Sequence, residues 1–171
     1  MRSTKGKSSF VTIDGHLVTK KFRPVQKKGK RGPSHHCFMR ELECLQRLHA
    51  YPHFPGLVSY DMDNLSITMS YCGELYPEGS QPRPDLLPQV DSIVNIIHDT
   101  GIKFCCDQSF FPYNDIHILG DVIKVIDFEN TIIQDSLLTK MYDSEFVDWI
   151  ETSFDLESFK QGLTNLLGDK K

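Results

Sequence analysis

A hairpin-like pattern in the last third of the sequence restricts the fold more than any other feature. Two short apolar runs, 116–119 and 122–126, flank a Gly120-Asp121 pair that suits a tight reversal of the chain. Asn114 precedes this hairpin, and Asp127 follows it, thirteen residues after Asn114. Because a hairpin brings its two ends together, we expect the amide and the carboxylate to share one site. The alternative for Asp127 is a turn residue that only ends the strand.

A lysine near the N-terminus lies in a second strand-like run. Residues 16–22 read His-Leu-Val-Thr-Lys-Lys-Phe. Side chains alternate along a strand, so Lys20 shares a face with Val18 and Phe22, whereas Lys21 lies on the other face. We therefore expect Lys20, not Lys21, to face the interior. A solvated strand lysine is the alternative.

A helical pattern follows over residues 38–48, where apolar residues recur at positions 38, 42, 45 and 48. At about 100° per residue, Glu41 falls inside this apolar stripe and Glu43 on the opposite side. A carboxylate on a buried face needs a partner, and Lys20 is the natural one. Glu43 is expected to be solvated.

Another helical pattern lies near the end of the sequence, with apolar residues at positions 156, 159, 163 and 166. Asp155 stands at its start. Thr152 together with Asp155 fits a capping box, so capping is one role open to this aspartate.

Taken in chain order, five residues resemble the functional residues of protein kinases: Lys20, Glu41, Asn114, Asp127 and Asp155. The chain resembles a very small protein-kinase-like phosphotransferase. In its small size it is closer to the RIO and KEOPS-associated kinases than to a full-length protein kinase. The resemblance implies an α+β bilobal fold, with a small β-sheet N-lobe that carries one helix and a truncated, mainly helical C-lobe. The implied boundaries are 1–72 for the N-lobe, 73–85 for a hinge or linker and 86–171 for a C-lobe ending near the F helix.

The same resemblance implies a site that uses ATP and Mg²⁺. Lys20 is expected to hold the α- and β-phosphates, and Glu41 to orient Lys20. Asn114 and Asp127 are expected to bind the metal. Asp155 corresponds to an F-helix aspartate that accepts hydrogen bonds from the catalytic-loop backbone and supports the loop.

Two further parts of the chain are implied to border the nucleotide. Gly6, Ser8 and Ser9 lie where kinases place a glycine-rich lid over the phosphates, although the segment has only one glycine. Tyr71 and Cys72 lie where a kinase hinge receives adenine through its backbone. The nucleotide is therefore expected between this lid and residues 72–86.

The catalytic loop departs from the kinase pattern. The motif H-R-D-x-x-x-x-N places the catalytic aspartate five residues before the asparagine, but that position is Ser109. The nearest aspartate is Asp107, seven residues before Asn114, and taking Asp115 as the ligand would widen the gap to eight. Asp107 is the expected catalytic base, with two extra residues bulging between base and ligand. The alternative is a degraded site and a pseudokinase that serves as an interaction module.

The sequence gives less direct evidence for the molecule that accepts the phosphate group. Glu129 stands where protein kinases have a glycine after Asp-Phe, and Asp-Phe-Glu is familiar from small-molecule kinase-like enzymes. No A-P-E signature lies between Asp127 and the Asp155 helix, and we expect this chain to lack the later helices that usually bind protein substrates. We predict a minimal Ser/Thr protein kinase whose protein substrate docks on another surface or on a partner chain. A small-molecule kinase is a further alternative.

Charge is distributed unevenly along the chain. The net charge is −4, but residues 1–36 carry ten Lys or Arg against one Asp, whereas residues 107–171 carry five basic against thirteen acidic residues. The basic residues concentrate in 20–31. This segment is either a solvated loop or a contact for a polyanion, such as nucleic acid or an acidic partner.

Targeting signals are not evident in the sequence. There is no apolar run near 18 residues and no signal-peptide pattern after Met1. We expect a cytoplasmic protein with no membrane partner.

Overall fold

The structure is a computed structural model of the 171-residue chain. It describes residues 2–5, 9–23, 34–106 and 111–168. Three residues predicted to act in the site, Gly6, Ser8 and Asp107, lie outside these ranges. So does most of the basic segment 20–31.

The larger sheet has five antiparallel strands: β1 (Arg2–Lys5), β2 (Ser9–Asp14), β3 (Leu17–Phe22), β4 (Leu57–Asp61) and β5 (Ser66–Ser70). Their order across the sheet is β1-β2-β3-β5-β4. The strand-like runs 9–13 and 16–22 on either side of Asp14-Gly15 predict a hairpin, and the β2–β3 pair confirms it. Gly15 in its turn has a φ of +59°, which a residue without Cβ adopts at little cost. In the register Lys20 lies between Val11 of β2 and Ile67 of β5. The lysine stem is therefore surrounded by apolar neighbours.

Helix α1 (Ser34–Leu48) contacts this sheet through β3, β4 and β5. The predicted apolar stripe is buried, and Phe38 meets Phe22 of β3 edge to face with ring centroids 5.7 Å apart. Glu41 is buried in the stripe, as its angular position predicts. Glu43 differs from the prediction, because its side chain is only 20% exposed and its Oε1 accepts a hydrogen bond of 2.5 Å from the hydroxyl of Ser136. Helical angle alone could not reveal this neighbour.

The remaining helices are α2 (Pro88–Thr100), α3 (Ser144–Ser153) and α4 (Leu156–Leu167), and α2 packs against α4. Apolar residues at positions 90, 93, 94 and 97 predict a helix from Leu86 to His98 that ends at Gly101. Gly101 does end α2 in the left-handed conformation, with φ of +67°. The predicted start at Leu86 is two residues early because Pro84–Leu86 forms a separate 3₁₀ turn. No helix in the described ranges combines the length and apolar character needed to cross a membrane.

Two small sheets complete the described structure. One has the order β6-β8-β9, from β6 (Glu74–Leu75), β8 (Ile116–Leu119) and β9 (Val122–Val125). The other pairs β7 (Ile102–Phe104) with β10 (Thr131–Ile133). The predicted β8–β9 hairpin is confirmed, with Gly120 at a φ of +61° in its turn.

The prolines and glycines of residues 73–85 predict a linker without a regular element, and this is wrong in part. Glu74 and Leu75 pair with Ile118 and His117 of β8. Gly73 precedes this strand with a φ of +82°, and a Cβ there would lie 2.0 Å from the carbonyl oxygen of Ile118. The prolines and glycines signalled a bend. They could not signal pairing with a strand more than forty residues later.

Buried apolar residues form one continuous core that extends from the larger sheet and α1 to α2 and α4. A second, smaller cluster lies around α3, here called the α3 cluster, and consists of Ile132, Tyr142, Phe146 and Ile150. The candidate site lies at the surface of the continuous core, where β3, α1 and the end of β9 meet.

Candidate active site

Lys20 of β3 joins two carboxylates that lie far apart in the sequence. Its Nζ donates to Oε2 of Glu41 and to Oδ1 of Asp127, each at 2.7 Å. Lys20 is 6% exposed, whereas Lys21 is exposed on the other face, as strand alternation predicts. The structure thus brings together three residues that the sequence singled out separately.

The environment of this ion cluster keeps the ammonium charged. Burial by itself lowers the pKa of Lys20, but attraction by Asp127, Glu41 and Glu129 outweighs it and holds the pKa well above its usual range. Burial raises the pKa of Glu41 to about 7, and the charges of Asp127 and Glu129 add to this effect against the attraction of Lys20. The single positive charge of Lys20 therefore balances only part of the negative charge of the carboxylates around it.

Asp127 is placed by the hairpin that precedes it. The β9 backbone is fixed on both sides, because Val125 N donates to His53 O and Ile126 N donates to Asp115 O, each at 2.9 Å. Asp127 itself has a φ of +65°, which is unusual for a residue with a side chain. Phe128 is buried next to it and packs near Phe54 with ring centroids 6.1 Å apart. Packing thus holds a strained backbone that aims the Asp127 carboxylate at Lys20, and such strain is common at functional sites.

Glu129 belongs to the same cluster, although the sequence reasoning used it only to compare enzyme families. It is buried, and its Oε2 lies 3.6 Å from Nζ of Lys20. Its carbonyl oxygen accepts a hydrogen bond of 2.7 Å from Nε of Arg40. A carboxylate four residues after the end of β9, in the turn that follows Asp127, was the available signal. Nothing local in the sequence indicated that it turns inward.

A cavity of about 780 Å³ opens in front of this cluster. One part of its wall is apolar and comes from the larger sheet, with Val11, Val18 and Met69 among its residues. Another part is polar and includes Asn114 and Asp127. The volume is in the range of small-molecule and cofactor sites. A nucleotide could place its base against the apolar wall and its phosphates near Lys20.

The other residues predicted to border a nucleotide also line this cavity where they are described. Ser9, at the start of β2, is buried. Tyr71 and Cys72 follow β5, and the Tyr71 hydroxyl donates to Oε1 of Glu74 at 2.5 Å. His117 Nδ1 lies 3.0 Å from the carbonyl oxygen of Gly73. This hydrogen bond, with the β6–β8 pairing, fixes the chain that leads away from the cavity.

The donor set of the cavity fits a magnesium ion. Carboxylate oxygens of Glu41, Asp127 and Glu129 lie within 4.8 Å of one another, and Asn114 lines the same cavity from a 3₁₀ turn over Tyr113–Asp115. Mg²⁺ prefers oxygen ligands and is usually bound by one or two carboxylates together with phosphates. The residual negative charge around Lys20 favours a divalent cation. Asn114 and Asp127 remain the predicted ligands.

Asp155 has the role that the sequence left open as its alternative. Its carboxylate caps α4 by accepting from the backbone N–H groups of Glu157 and Ser158, and also from the Ser158 hydroxyl at 2.5 Å. The predicted Thr152–Asp155 capping box is wrong, because Thr152 lies inside α3 and Asp155 is itself the N-cap. Cys106 Sγ donates to the backbone oxygen of Asp155 at 3.1 Å. The start of α4 is therefore tied to the chain before Asp107 through the backbone of Asp155.

Asp115 provides a prediction about pH. Burial, followed by the charge of Asp127, raises the pKa of Asp115 to about 8, against the attraction of Lys20. A carboxyl group with a raised pKa in the folded state binds a proton that the unfolded chain has already lost, so the free energy of unfolding falls as pH rises toward 8. Asp115→Asn should raise the melting temperature by about 5 °C or more at pH 9, given roughly 2–4 °C per kcal/mol at this chain length. At pH 4, near the ordinary pKa of an aspartate in the unfolded chain, the two proteins should melt nearly together.

Melting curves recorded from pH 4 to pH 9 without nucleotide test this prediction. Asp121→Asn is the matched control, because Asp121 is an exposed carboxylate at the opposite end of the hairpin. Its melting temperature should keep a constant offset from that of the unmodified protein. A constant offset for Asp115→Asn would mean that Asp115 is ionised throughout the range.

The arrangement of these elements defines a kinase-like fold. No protein-family model and no curated protein matches the chain. Among solved structures, it is similar to the Rio2 kinase-ADP/Mg²⁺-phosphoaspartate complex from Chaetomium thermophilum, with a TM-score of 0.56 and 16% identity, over 99% of this chain and 57% of that one. It is also similar to WbdD, with a TM-score of 0.57 and 15% identity, over 89% of this chain and 37% of that one. The chain therefore spans little more than half of one structure and little more than a third of the other, and at these identities the similarity shows the fold.

Proposed function

We propose that the protein is an ATP- and Mg²⁺-dependent phosphotransferase with a minimal bilobal kinase-like architecture. The observation that carries this proposal is the position of Lys20, held between Glu41 and Asp127 at 2.7 Å from each and facing a cavity of about 780 Å³. A charged amine fixed by two carboxylates supports binding of phosphate groups. The Rio2 kinase structure, which contains ADP and Mg²⁺, supports the choice of nucleotide and metal.

Each residue has a distinct task in this proposal. Lys20 binds the α- and β-phosphates, and Glu41 fixes the direction of its amine. Asn114 and Asp127 hold Mg²⁺, which supplies charge neutralisation at the phosphates. Asp107 accepts the proton of the acceptor hydroxyl while the acceptor oxygen bonds to the γ-phosphorus and the bond to ADP breaks. Most of the catalysis then comes from positioning and from charge stabilisation.

A serine or threonine of a protein is the proposed acceptor, because the β-sheet lobe and its helix, through residue 72, resemble those of protein kinases most. The substrate would dock on another surface or on a partner chain. The Asp-Phe-Glu triplet keeps a small-molecule hydroxyl as the second candidate, and Glu129 supports it because the carboxylate is part of the cluster at Lys20. Incubation with radiolabelled ATP and either a protein extract or a panel of sugars and amino alcohols separates the two. A nucleotide-binding protein that labels neither would be a pseudokinase.

Nucleotide binding gives the first direct test. A protein that binds Mg-ATP should gain about 2.7 kcal/mol when the ligand is at a hundred times its dissociation constant. That gain corresponds to a rise in melting temperature of roughly 5–10 °C for a chain of this length. Lys20→Ala should remove most of this rise, because the phosphates lose their buried partner.

Lys21→Ala is the matched control, since it removes an exposed lysine from the neighbouring position of the same strand. It should respond to Mg-ATP like the unmodified protein. A folded sample that shows no shift at millimolar Mg-ATP would count against the proposed function. A larger loss with Lys21→Ala than with Lys20→Ala would instead show that the phosphates bind on the other face of β3.

A further inference from the structure

We propose that Arg40 is a positioning residue for the Lys20–Glu41–Asp127 cluster and that it ties this cluster to α3. Arg40 precedes Glu41 in α1, does not line the cavity and was not singled out by the sequence reasoning. The proposal deepens the proposed function and rests on it for its activity readout. The chemical reactivity of the Lys20 amine is a second readout and does not depend on activity.

The surroundings of Arg40 are defined on several sides. The residue is 2% exposed. Its Nε donates to the carbonyl oxygen of Glu129 at 2.7 Å, and one Nη donates to Sγ of Cys37 at 3.2 Å. The guanidinium carbon lies 4.2 Å from the ring centroid of Phe146 and 5.1 Å from that of Tyr142. A planar, delocalised cation suits such a site, because it can stack on aromatic rings while it donates in its own plane.

These contacts join the parts of the chain that hold Lys20. Arg40 is the immediate neighbour of Glu41, and its acceptor is the carbonyl group of Glu129, whose carboxylate lies 3.6 Å from Lys20. Asp127 is only two residues from that carbonyl. A shift of Arg40 would therefore change the separation between Glu41 and the 127–129 turn. The ion pairs of Lys20 depend on that separation.

Two other contacts lie along the same side of α1. Cys44 Sγ and Thr131 Oγ1 are 3.0 Å apart, and the Ser136 hydroxyl donates to Glu43. Both partners lie between Glu129 and α3 in the sequence. Since Phe146 belongs to α3, the segment 129–146 is attached to α1 at three levels. Of these three contacts, the one made by the Arg40 guanidinium is nearest to the Lys20 cluster. A change in the packing of α3 should therefore affect Lys20 mainly through Arg40.

Arg40→Met tests the proposal, because methionine keeps much of the apolar stem and removes the charge and the donors. The turnover number should fall by about 10²-fold, the loss expected when reacting groups are displaced by about 1 Å. In a Glu41→Gln background the same substitution should cause little further loss, since both changes act on one ion pair. If the double variant instead loses turnover by the product of the two single losses, the proposal is contradicted. Arg47→Met, an exposed arginine one heptad later in α1, is the matched control and should leave turnover unchanged.

The reactivity of the Lys20 amine gives the readout that does not need an active enzyme. Brief acylation followed by mass spectrometry should label Lys20 slowly in the unmodified protein and several-fold faster in Arg40→Met, with Lys21 as the internal reference. If Lys20 reacts faster in Arg40→Met and the unmodified protein transfers no phosphate, the positioning role of Arg40 is supported and the proposed function is refuted. An unchanged Lys20 reaction in a folded Arg40→Met protein would refute positioning, whatever happens to turnover.

Phe146→Leu covers the case in which Arg40→Met fails to fold. Leucine keeps an apolar side chain in the α3 cluster but removes the aromatic face 4.2 Å from the guanidinium. This variant should raise Lys20 labelling in the same direction as Arg40→Met and by a smaller factor. A folded Phe146→Leu protein with unchanged Lys20 labelling would refute the proposed link to α3.

Discussion

Asp127→Asn should abolish both tight Mg-ATP binding and phosphotransfer. The Asp127 carboxylate is the predicted metal ligand and is also one of two groups that hold Lys20 at 2.7 Å. An asparagine of the same shape keeps an oxygen but loses the charge that attracts Mg²⁺ and fixes the ammonium. We therefore expect a loss of turnover larger than the 10² to 10⁴-fold, roughly, that removal of a general base causes.

Asp107→Asn provides the comparison for this prediction, because a catalytic base acts after the nucleotide has bound. Turnover should fall, while the melting-temperature rise with Mg-ATP should stay intact. Isothermal titration together with single-turnover kinetics measures the two effects separately. Equal loss of binding in both variants would contradict the assigned roles. If the protein binds Mg-ATP but transfers no phosphate, and Asp107→Asn leaves its biological activity intact, the seven-residue spacing marks a lost site and a pseudokinase.

Gly73→Ala should destabilise the protein more than a glycine-to-alanine substitution at any other described glycine with positive φ. A Cβ at Gly73 would meet the Ile118 carbonyl oxygen at 2.0 Å, and the backbone there has a φ of +82°. Overpacking costs roughly 1–3 kcal/mol, and a strained backbone adds about 1–3 kcal/mol. The melting temperature should fall by roughly 5–20 °C, at about 2–4 °C per kcal/mol.

Gly79→Ala separates the two parts of this effect. Gly79 has a φ of +88°, but a Cβ there would have no atom within 4 Å. It should therefore lose only the backbone contribution, about 1–2 kcal/mol. The difference between the two variants measures the close approach of Gly73 to β8. Equal melting temperatures would mean that β8 moves aside at little cost.

Several elements of the fold could be predicted because neighbouring residues specify them. Glycine-containing turns between short apolar runs determined the β2–β3 and β8–β9 hairpins. Helical spacing of buried residues determined α1, and strand alternation determined that Lys20 faces inward. In each case the information is a period of two or of 3.6 residues, which local backbone geometry imposes.

The site was predictable only as separate residues. Lys20 and Asp127 are 107 positions apart in the sequence, and Arg40 is 89 positions from the carbonyl group that it contacts. Periodicity tells which face a side chain occupies but not which distant element covers that face. Arg40 illustrates this limit, because Cys37, Arg40 and Cys44 form a second buried stripe with helical spacing. Cysteine is often buried, but an arginine between two cysteines does not read as a buried position.

The sequence by itself determined the local elements and the direction of Lys20, because these depend on backbone geometry over a few residues. Only the tertiary structure decided that Glu129 joins the Lys20 cluster, that Asp155 caps α4 and that Glu74–Leu75 pairs with β8. These outcomes depend on which elements pack together. The raised pKa values of Glu41 and Asp115 have the same origin, since burial and neighbouring charges exist only after the chain has folded.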